Sequence, residues 1–213
     1  MSGWFTDAGL FVAFEGGEGA GKSTQARGLA DWLGGRGHAV MLTREPGGTV
    51  LGDALRSIVL DPATGHLSPR TEALLYAADK AEHVDTVVLP ALRAGSVVLT
   101  DRYVDSTLAY QGAGRALSAD ELEPVARWAT RDLRPHLTVL LDVDPRTGTT
   151  RFTGRDRLEA EPLDFHDRVR QEFLDLAAAD PGHYLVLDAA GDVDAIARRI
   201  RDAVHPLLEG VPA

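Results

Sequence analysis

A glycine-rich segment caught between an apolar run and an amphipathic one constrains this chain more than any other feature. Gly16-Gly17-Glu18-Gly19-Ala20-Gly21-Lys22-Ser23 matches the pattern G-x-x-x-x-G-K-[ST]. It follows the strand-like run Leu10–Glu15 and opens a helical pattern over 23–33, which is the context the pattern requires. The glycines let successive backbone N–H groups turn toward one anion, and the helix N-terminus adds its partial positive charge. Residues Gly16 to Thr24 are therefore an expected phosphate loop for ATP, with Lys22 reaching the β- and γ-phosphates and Ser23 ligating Mg²⁺. The loop alone does not separate a kinase from a hydrolase or a switch. A guanine switch needs an N/T-K-x-D motif, yet the chain has no asparagine, and neither of its lysines, Lys22 and Lys80, lies in such a motif.

Four more apolar runs follow, over 39–43, Val97–Asp101, 137–143 and Tyr184–Asp188. They are nearly continuous, as parallel strands covered on both faces are. Helical patterns fill the gaps at 23–33, Val50–Leu60, 69–93 (broken at Pro90), 103–110, 119–131, Leu163–Ala179 and 193–208, with Ser118-Ala-Asp-Glu121 as a capping box. This alternation predicts an α/β doubly wound sheet with right-handed crossovers. The length of 213 residues, 44% hydrophobic, suits one domain over 1–213. The start MSGWFTDAG lacks a basic n-region, and no window reaches the ~18 apolar residues of a membrane span. The absence of cysteine excludes disulfides and fits a cytoplasmic protein. A net charge of −10 argues against non-specific nucleic-acid binding, so any polyanion site has to be a local basic pocket.

Four stretches supply groups suited to a second phosphorylated ligand. The run Val97–Asp101 ends in a carboxylate placed to support Mg²⁺ or its water shell. A helix beginning there puts Arg102, Ser106 and Tyr110 on one face at i, i+4 and i+8, flanked by Thr107 and Gln111. That face offers a guanidinium for phosphate, a hydroxyl and an aromatic wall; read alone, it is equally a helix with a solvated arginine. Tyr76 and Lys80, at i and i+4, pair a ring for a base with a cation for its carbonyl; read alone, they are a core aromatic beside a snorkelling lysine. Arg44-Glu-Pro-Gly-Gly-Thr49 turns at the carboxyl end of the sheet, where such folds bind ligands. Arg44 is a phosphate contact there unless the turn is a plain one. Arg151, Arg155 and Arg157 fall within seven residues, as a mobile cover bringing positive charge to a moving phosphoryl group requires. A charged surface loop has the same composition.

Together and in this order these stretches resemble the bacterial thymidylate (dTMP) kinase family. The resemblance rests on EGGEGAGKST at 15–24, TREPGGT at 43–49, TEALLYAADKAEHV at 71–84, LTDRYVDSTLAYQG at 99–112 and DRLE at 156–159. It implies a three-layer P-loop NTPase fold with a five-stranded parallel sheet of order 2-3-1-4-5, a homodimer, and Mg²⁺-dependent transfer of the γ-phosphate of ATP to dTMP, giving dTDP. It further implies that Glu18 holds the deoxyribose 3′-hydroxyl and helps Ser23 and Asp101 place the metal. Arg102, with Arg44 nearby, binds the dTMP phosphate. Tyr76 stacks on thymine, Lys80 stands where an arginine often meets its carbonyl, and Ser106, Thr107 and Gln111 line the pocket. Tyr110 crowds the 2′ position. The phosphate loop carries no arginine, so the catalytic arginine is sought among Arg151, Arg155 and Arg157, Arg157 first, in a small lid at about 151–162. The adenine lies between the base of the lid and the loop at 188–191. Two rival readings are a kinase for another nucleotide and a catalytically silent nucleotide-binding regulatory module.

Overall fold

The computed structural model describes residues 8–151 and 156–212. Five strands, β1 (Leu10–Glu15), β2 (Val40–Arg44), β3 (Val97–Asp101), β4 (Leu137–Asp142) and β5 (Tyr184–Asp188), form one parallel sheet in the order β2-β3-β1-β4-β5. That is the order the resemblance implied. The central strand β1 is buried along its whole length, which is why its sequence reads as unbroken apolar residues rather than an alternation. Its side chains still obey a period of two. Leu10, Val12 and Phe14 join one core layer with Leu29, Leu33, Ile196 and Ile200, while Phe11 and Ala13 join another with Val84, Val88 and Leu92.

The first layer is covered by α1 (Lys22–Gly34) and by α9 (Val193–Val204), whose N-cap Asp192 accepts from Ala195 N–H. Between β2 and β3 run α2 (Val50–Leu60), capped by Thr49, and α3 (Pro69–His83), capped by Ser68 with Pro69 in the first turn. The expected break at Pro90 does not occur. The chain passes from α3 through a π-helical turn, Val84–Val88, into α4 (Leu89–Arg93) with helical dihedrals throughout. A widened turn ahead of a proline removes the clash its ring makes with the preceding turn.

After β3 the chain forms α5 (Val104–Thr107), wide π-helical turns over Leu108–Gly114, and α6 (Ala119–Ala129). The capping box at Ser118 forms only in part: the Glu121 carboxylate reaches back to the Ser118 backbone N–H, but the Ser118 hydroxyl donates to that carboxylate at 3.2 Å instead of capping the helix. Short α7 (Pro145–Gly148) follows β4, and α8 (Leu163–Ala179) packs Phe165, Val169 and Phe173 around Tyr110 and Tyr76. No helix among the described residues is long and apolar enough to cross a membrane. The register pairs Asp101 with both Phe14 and Arg44, so the carboxyl ends of β1, β2 and β3 lie side by side.

Candidate active site

The phosphate loop leaves β1 through Gly16, whose φ of 135° is open only to glycine and where a Cβ would strike the Leu141 carbonyl oxygen. Lys22, nearly buried, folds back so that its ammonium donates to the carbonyls of Gly17 (2.7 Å) and Gly16 (3.0 Å). Burial and the neighbouring Arg102 lower its pKa, against the pull of Glu18 and Asp101. Ser23 Oγ makes a short hydrogen bond to the Asp101 carboxylate at the end of β3. A cleft opens over this loop and is walled by Gly19 to Thr24, Asp101, Ala189 and Gly191.

A second, smaller cavity lies alongside. Arg102 stands where the two meet and lines both, as do Glu18, Glu45 and Arg56. The expected helix does not begin at Arg102. This residue sits in the left-handed region with a φ of 72°, ahead of α5. The side chains sharing a face by sequence spacing do meet, but a strained turn delivers the arginine. Its guanidinium donates to Ser106 Oγ (3.1 Å), the Gly16 carbonyl (3.1 Å) and the Tyr110 hydroxyl (3.1 Å), and pairs with Glu18 Oε1 at 2.5 Å. Tyr110 OH also donates to Glu18 (2.8 Å). Burial pushes the Glu18 carboxyl up, but Arg102, Lys22 and the Tyr110 hydroxyl outweigh it and hold the group at about 2. The junction is therefore a fixed, charged arrangement at neutral pH.

The second cavity is more apolar and narrower. Tyr76 forms one wall, with Leu60 and Leu158 nearby. Lys80, almost fully buried, pairs with Glu45 Oε2 at 2.8 Å, while Glu45 Oε1 meets His83 Nδ1 at 2.7 Å. Gln111 Nε2 donates to Glu72 Oε1 at 2.9 Å. Thr107 lines the same space with a buried hydroxyl that has no hydrogen-bond partner, the kind of group a ligand satisfies.

Two expectations need correction. Arg44 does not line the second cavity; it reaches the loop cleft and pairs with Asp53 at 3.4 Å. The cation that α2 sends to the junction is Arg56, fixed by a 3.0 Å bond to the Pro46 carbonyl. Arg157, the leading lid arginine, lines neither of these spaces. Its guanidinium makes a short ion pair with Glu72 and donates to the Val59 carbonyl (2.8 Å), pinning the turn after the lid to α2 and α3. Arg151 instead lies in the loop cleft, donating to the Gly19 carbonyl at 2.8 Å and to the Ala189 carbonyl at 3.3 Å. Arg155 lies outside the described residues. Asp156, Leu158 and Glu159 wall the second cavity.

Arg56, Glu45 and Glu72 escaped the sequence reading. Glu45 and Glu72 lay inside segments already singled out, but buried carboxylates are marked only by the distant cations that hold them. Arg56 has no local signal at all.

A parallel sheet of this order, with a phosphate loop after its first strand and a second cationic pocket sharing its walls, defines a P-loop kinase acting on a small phosphorylated acceptor. The family model for thymidylate kinase matches residues 14–200. A thymidylate kinase of Cutibacterium acnes is 58% identical over 200 residues, covering 94% of this chain and 98% of that one. One from Clavibacter sepedonicus is 55% identical, covering 94% and 96%. The crystal structure of thymidylate kinase from Ehrlichia chaffeensis superposes with a TM-score of 0.77 at 29% identity, covering 93% of this chain and 99% of that one. The chain belongs to the thymidylate kinase family.

Proposed function

We propose that the loop cleft takes ATP, the second cavity takes dTMP, and the phosphoryl group passes between them beside Arg102. The reaction itself, phosphorylation of dTMP to dTDP, is that of the family. The observation that carries the division of labour is the junction. Lys22 serves the loop cleft, while Arg102 and Glu18 line both spaces. Two anions approach each other only where cations neutralise both. Lys22 meets the donor phosphates and Arg102 the acceptor phosphate, so their repulsion is screened before the reacting atoms come into contact.

Within the acceptor cavity, Tyr76 supplies a face for thymine and Lys80 an ammonium for a ring carbonyl. Gln111 donates an amide hydrogen to Glu72, which turns its carbonyl oxygen to the ring N3–H. The orphan Thr107 hydroxyl takes a remaining polar edge. Tyr110 and Glu18, locked together, close the sugar end, where Glu18 accepts from the 3′-hydroxyl and the phenol leaves no room for a 2′-hydroxyl. On the donor side Ser23 and Asp101 offer a hydroxyl and a carboxylate within hydrogen-bonding distance of each other, an all-oxygen pair that fits Mg²⁺. The metal supplies charge neutralisation along the donor phosphates. In this reading Arg151, which lines the loop cleft, stabilises the transferring phosphoryl.

The test is Arg102→Ala, assayed by chromatographic detection of dTDP. The kcat/KM for dTMP is expected to fall roughly 10²-fold or more, as for a truncated buried charge contact, with KM for ATP little changed. A variant whose KM for ATP rises while that for dTMP stays put would refute this division of the site.

A further inference from the structure

The carboxylate of Glu15 plays no part in the reaction as described, yet it is fully buried one residue before the phosphate loop. Its Oε1 accepts the backbone N–H groups of Tyr103 (2.8 Å) and Ser106 (3.1 Å), and its Oε2 accepts the Ser106 hydroxyl (2.6 Å). These are the residue directly after Arg102 and the residue whose hydroxyl Arg102 holds. Ser106 has one hydrogen, and Glu15 takes it. The Ser106 oxygen is thereby left as an acceptor, and the Arg102 guanidinium donates to it at 3.1 Å. We infer that Glu15 is a positioning residue for the acceptor phosphate: through Ser106 and the turn at Tyr103 it holds Arg102 in its left-handed conformation, aimed into the dTMP cavity. The inference rests on the assignment of Arg102 to that phosphate.

Glu15 also makes this link sensitive to protons. Burial, and then the charge of Asp105 on α5, push its carboxyl up to about 7 against the Ser106 hydroxyl, Arg102 and the Tyr103 amide. The charged and titratable groups around it are Arg102 from the preceding turn, Asp105 from α5, Lys22 from α1 and Tyr184 from β5. Behind Asp105, itself raised by burial, stand Arg134, Lys80 and Asp180, and the Tyr184 hydroxyl donates to it at 2.7 Å. Above the Glu15 pKa the carboxylate accepts from Ser106 and the relay is intact. Below it, Oε2 carries a proton and donates to the Ser106 oxygen instead of accepting from it, so that oxygen is shared with a second donor, loses its charge assistance and holds Arg102 more weakly. Binding of dTMP therefore weakens as pH falls through about 7.

Glu15→Gln tests this, because the amide keeps the size and the carbonyl acceptor for the two backbone N–H groups but offers a donor to Ser106. Thermal stability is expected to stay close to wild type, KM for dTMP to rise roughly tenfold, and KM for ATP to hold, as for one lost charge-assisted hydrogen bond at the acceptor. The decisive readout is the ratio of wild-type to variant kcat/KM for dTMP across pH 5.5 to 8.5. Titration of the substrate's own phosphate cancels in that ratio. It is expected to climb from near one to roughly tenfold through about pH 7. A ratio flat with pH, an unchanged KM for dTMP, or a loss that falls equally on ATP overturns the inference. Should the glutamine variant fail to fold, Ser106→Ala cuts the same relay. Its ratio to wild type is then expected to show the same pH dependence, and a flat one overturns the inference. Arg102→Ala separates the two levels: if it spares dTMP binding, the site assignment has failed, whereas if it abolishes binding while Glu15→Gln does nothing, only the positioning role has.

Discussion

Arg151 and Arg157 differ by six positions and in what their guanidinium groups hold. Arg157 is buried against Glu72, which also takes Arg115 at 3.1 Å and Gln111 at 2.9 Å. Removing it leaves Glu72 with two partners, so the cost is a weakened network rather than a stranded charge, about 1–3 kcal/mol. Arg157→Ala is therefore expected to lower the melting temperature while kcat stays near wild type. Arg151→Ala, exposed in the loop cleft, is expected to leave stability alone and to cut kcat roughly 10³-fold, the scale of a lost arginine at a transferring phosphoryl. Thermal denaturation and steady-state kinetics on both variants decide the matter, and the opposite pairing of effects would restore Arg157 as the catalytic arginine. Sequence spacing could not make this choice. Both residues sit in one arginine-rich stretch, and what separates them is an ion pair spanning 85 positions.

At the scale of elements, the phosphate loop depends on a neighbour that no motif marks. Gly19 and Gly148 approach so closely that a Cβ on either would collide with the other's surroundings, the Gly148 carbonyl in one case and the Glu18 carbonyl in the other. The end of α7 thus sets how low the loop can sit, and with it the position of Glu18. Gly148→Ala is expected to destabilise by about 1–3 kcal/mol, as overpacking does, and to weaken ATP binding by calorimetry; unchanged affinity would show that the loop does not lean on α7. Elements with a strong period were readable in advance. β1 and β3 carry the expected bounds, because a buried parallel strand leaves an unbroken apolar run, and so does the half-exposed edge strand β5, whose sequence is apolar up to its last residue. The π-helical turns at Val84–Val88 and Leu108–Gly114 were not, since an apolar pattern over so few residues does not distinguish a wide turn from an α-helical one. The left-handed Arg102 was equally hidden, because a glycine normally announces such a turn and none is present there.

For the molecule as a whole, the arrangement of cations matters more than their number. The chain carries a net charge of −10, yet Lys22, Arg102 and Arg56 converge on one edge of the sheet, where the carboxyl ends of β1, β2 and β3 meet. The phosphate loop and the acceptor face were legible because each lies within one short stretch. Their junction was legible only as an ordering of segments, since Arg102 meets Glu18 across 84 positions. What the junction implies is a single in-line displacement, with no side chain taking the phosphoryl group on the way. The most direct measurement uses ATP made chiral at its γ-phosphorus with oxygen isotopes and reads the configuration of the phosphoryl group recovered in dTDP. Inversion is the expected result; retention would mean two successive transfers through a covalent intermediate and would contradict a site in which donor and acceptor meet directly beside Arg102.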